Sequence, residues 1–200
     1  IILALGFMGN MVQSNSIGAA FVEAFQVFHV ELSPVIVGIV VAVIAAVIFL
    51  GGTKSLATVV EKIVPIMAGV YIVGSLVLIC MNITALPAAF LSIIEGAFAP
   101  EAVLGAGAGI TVREAIRYGV ARGLFSNEAG MGSTPHAHAR AKAESPHHQG
   151  LCAMVSVFID TFIVLNLTVF SVLTTGVMST GKDGTALTQA AFMKGFGSAG

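Results

Sequence analysis

The run Phe125-Ser126-Asn127-Glu128-Ala129-Gly130-Met131-Gly132-Ser133 sets a carboxylate, an amide, two hydroxyls and two glycines inside an otherwise apolar chain. In hydrocarbon each unpaired backbone group costs several kcal/mol, so a helix breaks only where protein, water or an ion takes over the freed groups. Gly130 and Gly132 relax the backbone, while Ser126, Asn127 and Ser133 bond locally in non-helical conformations. Unwinding leaves carbonyls for a sodium-sized cation and helix N-terminal amides for a carboxylate. The residue types therefore predict a broken membrane helix around a small polar solute. The competing reading is a cytoplasmic loop entered early, with Glu128 solvated. Length counts against it, because Thr111 to Phe125 is only about 22 Å of helix, short of a ~30 Å hydrocarbon core. Glu128 is open between three roles: capping the next half-helix, neutralising an arginine, or ligating a cation.

Two further polar positions sit in apolar helices. Gly6, Asn10, Gln13, Ser16 and Ala20 recur at helical spacing and make one small, polar face. Gln13 either joins two helices by its amide or faces a solute cavity. Asp160 shares a face with Ala153, Ser156, Leu167 and Ser171, near mid-membrane. A carboxylate there is paired, protonated or bound to a cation, and Arg113, Arg117 and Arg122 are the candidate partners for pairing. The candidate cation ligands are thus Ser126, Asn127, Glu128 and Asp160. His136-x-His138 and His147-His148 lack a supporting ligand set and read as loop histidines, so no metal site is expected. The chain carries no phosphate-cradling loop, GxSxG elbow or HExxH helix. Neither an enzyme nor a cofactor is expected.

The elements that must hold these residues follow from composition. The 200 residues are 56% hydrophobic and 10% charged, with a mean hydropathy of +0.98; a soluble domain carries about 25% charged residues. An all-α, polytopic membrane helix bundle in a lipid bilayer is predicted. The formal net charge of −1 gives no field for nucleic acid. Cys80 and Cys152 lie in apolar runs and read as small core residues. Helices are expected at 1–27, 34–50 and 60–82, then a non-spanning one at 87–98, a broken one at 111–125 and 131–143, and a last at 150–175. Lys54 and Lys62 on one connection, and Arg140 and Lys142 on another, place both in the cytoplasm. Arg113, Arg117 and Arg122 then fall in an outer vestibule. Both chain ends read as cuts, and the sequence is expected to be the middle of a longer protein.

Three segments resemble the alanine/glycine:cation symporter family, which belongs to the amino acid–polyamine–organocation superfamily with its LeuT-like inverted-repeat fold. Gly9-Asn10-Met11-Val12-Gln13-Ser14-Asn15-Ser16 is similar to the family's third-helix motif. Val120 through Ser133, followed by Pro135, His138 and Ala139, is similar to its sixth. Gln149-Gly150 with Val157-Phe158-Ile159-Asp160-Thr161 is similar to its seventh. The resemblance implies a fragment spanning helices three to seven, with a discontinuous helix, in a prokaryotic cell membrane. It also implies sodium-coupled, in some members proton-coupled, uptake of alanine, glycine and similar amino acids. By the family pattern Gln13, Phe125, Ser126, Asn127, Ala129, Gly130, Met131 and Gly132 contribute to the substrate pocket. The rival readings are a structural membrane subunit and a passive channel without ion coupling.

Overall fold

The computed structural model describes residues 6, 7, 9–26, 32–98 and 112–197, and among these the chain forms helices and no strand. α1 (Asn10–Gln26) is followed by α2 (Pro34–Leu50). Pro34 stands in the first turn of α2, where its missing N–H leaves no bond unmade. Gly51 closes α2 by donating its N–H toward Ile48 O and Phe49 O, and α3 (Gly52–Met81) starts on the next residue. The Gly51-Gly52 pair is therefore a junction without a loop, and α3 begins well before the expected position 60. Lys54 and Lys62 ride on its first turns. The length explains this: 30 residues make about 45 Å of helix, more than a ~30 Å core takes up.

α4 (Leu86–Phe98) follows a tight turn after Asn82, whose side-chain amide donates to Leu78 O at 2.9 Å. Residues 99–111 lie outside the described residues, as do the side chains of Arg113 and Glu114. α5 (Val112–Ser126) ends at the polar run, and α6 (Ser133–His138) is only 6 residues long. It stops short of the expected 143 because a new helix start intervenes. Ser145 accepts from His148 N at 3.2 Å with Pro146 behind it, a side-chain cap joined to a first-turn proline. α7 (Pro146–Phe158) accordingly begins before 150, passes through a π-helical turn (Ile159–Val164) and continues as α8 (Leu165–Thr175). Gly176, in the left-handed region at φ 67°, ends it. α9 (Gly184–Phe196) lies beyond the last helix expected from sequence.

α9 rests on α1, α3 and α8. Buried Leu78, Val172, Val177 and Ala191 form the core, flanked by Leu187, Phe192 and Phe196. Tyr71 stacks on Phe192 with centroids 5.7 Å apart and bonds Thr168 through its hydroxyl. Gln189 Nε2 donates to Ala20 O at 3.0 Å, and Lys182 pairs with Glu23, which ties α9 to α1. At Gly195 an added Cβ would stand 2.0 Å from Leu78 Cδ1. Gly195→Ala is expected to cost about 1–3 kcal/mol through overpacking, read as a lowered melting temperature in detergent. An unchanged value would mean that α9 and α3 do not approach this closely.

The most apolar eighteen-residue stretches of α3 and of Pro146–Thr175 are only 11% and 0% buried within the chain. Core helices of a soluble protein would be mostly covered, and bare apolar faces of this extent need lipid or other helices. Arg140 Nη2 donates to Thr53 Oγ1 at 3.0 Å, so the start of α3 and the end of α6 share one end of the bundle.

Candidate functional site

Between α5 and α6 the backbone leaves the helix for residues 127–132. Gly130 (φ 77°) and Gly132 (φ 79°) take left-handed conformations, and so does Glu128 (φ 51°), the one non-glycine residue to do so among those described. That conformation costs a side-chain-bearing residue roughly 1–2 kcal/mol. The helix unwinds in steps. Asn127 N still reaches Gly123 O (3.1 Å), Ala129 N reaches back to Leu124 O (2.9 Å), and Met131 N closes a turn on Glu128 O (3.2 Å). Among the described residues no backbone N–H bonds the carbonyls of Ser126, Asn127, Ala129 or Gly130.

The broken segment has two polar sides. One meets the π turn, where Ser126 Oγ donates to Asp160 Oδ2 at 2.7 Å and Thr161 Oγ1 donates to Asn127 Oδ1 at 3.0 Å. A π turn rotates less per residue than an α-helix, which lets the neighbours Asp160 and Thr161 address the neighbours Ser126 and Asn127. Among the described residues Asp160 has no cationic partner, and Arg117 and Arg122 form no ion pair. The side chain of Arg113 is not described. Asp160 is thus held by a hydroxyl, that of Ser126.

The other side faces α1. Gly9, Asn10, Gln13, Phe125, Glu128 and Met131 line a cavity of about 210 Å³. Gln13, Phe125 and Met131 are brought together here; Ser126, Asn127, Ala129, Gly130 and Gly132 are not among the lining residues. Gly9 and Asn10 join the wall although the sequence reading gave them no role. Asn10 sits on the same polar stripe as Gln13, and that stripe was the available signal. Glu128 meets the cavity and is anchored from behind: the Ser133 hydroxyl donates to its Oε2, and Thr134 Oγ1 approaches the same oxygen at 3.4 Å. Larger clefts of about 570 Å³ and 600 Å³ lie between α1 and α2 and beside α6 and α7. The first is walled mainly by small and apolar residues, and the second sits at the turn between α6 and α7 with His138. His138 Nδ1 is bonded to the Gln149 amide. Among the described residues no group of three or more metal-binding side chains converges.

Apolar helices of bilayer length that stay largely uncovered, with a polar cavity at the break of another helix, fit a membrane helix bundle. The chain belongs to the sodium:alanine symporter family, which its sequence matches over residues 1–200. It is 40% identical over 194 residues to the uncharacterized transporter YflA of Bacillus subtilis, an alignment covering 95% of this chain and 40% of the relative. It is 42% identical over 191 residues to the amino-acid carrier protein AlsT of Bacillus subtilis, covering 96% and 39%. With the sodium/alanine symporter AgcS of Methanococcus maripaludis it shares 40% identity over 189 residues, covering 92% and 40%. The chain spans about 40% of the length of these relatives. The family consists of transporters and not of enzymes.

Proposed function

We propose that the protein containing this chain is a secondary active symporter that couples sodium entry to uptake of small neutral amino acids such as alanine and glycine. The observation that carries this reading is the small polar cavity between Gln13 and the broken helix, with Asp160, which has no cationic partner among the described residues, on the other side of the break. A cavity of about 210 Å³ suits a short zwitterion. Sodium is a hard cation that takes oxygen ligands. Ser126 Oγ, Asn127 Oδ1, Asp160 and the unpaired carbonyls nearby keep lone pairs for it beyond the bonds they make. Phe125 and Met131 give the pocket its apolar wall, and Ala129, Gly130 and Gly132 keep the adjoining segment small. A proton replaces sodium in the variant form of this reading. The described helices then correspond to helices three to seven of a LeuT-like inverted repeat in a prokaryotic cell membrane. Alternating access follows if ion and solute each favour one occluded state, since a ligand shifts conformations only by its differential affinity.

The test is counterflow and sodium-gradient-driven accumulation of labelled alanine by the full-length protein in proteoliposomes. Gln13→Ala is expected to reduce the apparent alanine affinity about 10-fold, the loss of one polar contact of about 1–1.5 kcal/mol. Asn127→Ala removes the bond to Thr161 and is expected to raise the sodium requirement. Conduction without saturation or counterflow would mark a passive channel. If neither substitution alters uptake or its sodium dependence, the polar residues only join helices and the symport reading of this site fails.

A further inference from the structure

We propose that Glu128 receives the ammonium group of the transported amino acid, and that the coupling cation is left to Asp160 and the opposite side of the break. The inference rests on the symport reading of the same cavity and adds to it which carboxylate meets which positive charge. The two carboxylates near the break are separated by their partners. Asp160 is bonded by Ser126 on the π-turn side, and it does not line the cavity. Glu128 does line it, opposite Gln13 and Asn10.

The hydrogen bonds at Glu128 are lopsided. Both hydroxyl contacts, from Ser133 and Thr134, go to Oε2, and among the described residues Oε1 accepts none. A carboxylate offers about four lone-pair sites, so an oxygen fixed from behind presents its neighbour to a donor in front. An ammonium carries three donors and matches one such oxygen together with the Gln13 amide oxygen. The backbone is the independent observation. Glu128 sits at φ 51°, ahead of Gly130 and Gly132 where glycine takes the same left-handed conformation without a side chain, yet here a glutamate bears it. Strain of this kind persists where the surroundings hold a side chain in place, and it clusters at ligand clamps. Capping does not account for it, because Gly132 is the N-cap of α6 and no side chain caps that helix.

Three measurements on the full-length protein test this. In wild-type proteoliposomes propionate, which is alanine without its ammonium, is expected to compete for alanine uptake at least about 10-fold more weakly than alanine itself, as loss of a charged hydrogen bond requires. In Glu128→Gln, which keeps an oxygen for Ser133, alanine affinity is expected to fall about 10- to 100-fold while the weak competition by propionate stays as it was. The rise in melting temperature caused by sodium without amino acid is expected to persist in Glu128→Gln, which also reports that the variant is folded. Equal competition by propionate and alanine in the wild type overturns the proposal without any variant. Loss of the sodium-induced rise in a folded Glu128→Gln overturns it too, and would make this carboxylate a cation ligand. Unchanged alanine affinity in Glu128→Gln overturns it while leaving symport intact. A wild type that shows no alanine counterflow removes the symport reading itself.

Discussion

Asp160→Asn is expected to raise the sodium concentration needed for half-maximal alanine uptake by about 10- to 100-fold, while alanine affinity at saturating sodium changes little. The magnitude follows from removing one charged contact of about 1.5–3 kcal/mol to a cation. The substitution is chosen to leave the local structure alone. Asparagine keeps an oxygen at the position where Ser126 Oγ donates at 2.7 Å, so the tie between the broken helix and the π turn survives and only the charge goes. Ser126→Ala does the reverse, removing the tie and keeping the charge, and it is expected to have the smaller effect on sodium dependence. If Asp160→Asn leaves the sodium curve in place, Asp160 binds no cation and serves only as the acceptor that ties the π turn to Ser126. The charge also has to be answered by something. An ionised carboxylate at mid-membrane depth is costly alone, and among the described residues no arginine or lysine reaches it.

How much of this was legible in the chain depends on which interactions set each feature. α2 runs where Pro34 and Gly51 place it, because both act within one turn of themselves. The break after Ser126 was readable for the same reason: hydroxyls, an amide and two glycines alter the backbone locally. Gln13 stood out through helical periodicity, which tells which residues share a face but not what lies across from it. Asn10 shares that face, and only the position of the broken helix shows that both line one cavity. The π turn had no local signal. Ile159, Thr161, Phe162 and Ile163 would suit an ordinary helix, and the widened turn coincides with contacts made to residues more than thirty positions earlier. α9 has no strong local signal, because Gly184–Phe196 is short, weakly amphipathic and bordered by glycines. Its place comes from Tyr71, Leu78 and Glu23, all distant in sequence. The early end of α6 and the early start of α7 are a different matter, since the Ser145-Pro146 cap is a local signal that starts a helix ahead of the apolar run that follows.

Replacing Gly130 in turn by Asn, Ala and Val is expected to reduce sodium-driven alanine uptake in that order, with Val at least about 10-fold down. The position isolates backbone conformation from packing. Gly130 has φ 77°, and an added Cβ would find nothing within 4 Å, so a side chain there has room and pays only for its dihedral angles. Asparagine is several-fold enriched in the left-handed region, alanine tolerates it at roughly 1–2 kcal/mol, and a β-branched residue there is an outlier. The segment can answer that strain by rewinding toward a continuous helix. Rewinding would bond the free carbonyls of Ser126, Asn127 and Ala129 and swing Met131 and Glu128 off the cavity wall. Both binding sides of the break would be lost together, so sodium dependence and alanine affinity should fall in parallel along the series. Side-chain volume makes the opposite forecast: alanine, the smallest replacement, would be mildest, and asparagine would do about as much harm as valine. A ranking with alanine above asparagine would show that the space around residue 130 matters and its dihedral angle does not. Equal activity in all three would mean that transport does not need the helix to be interrupted at this point.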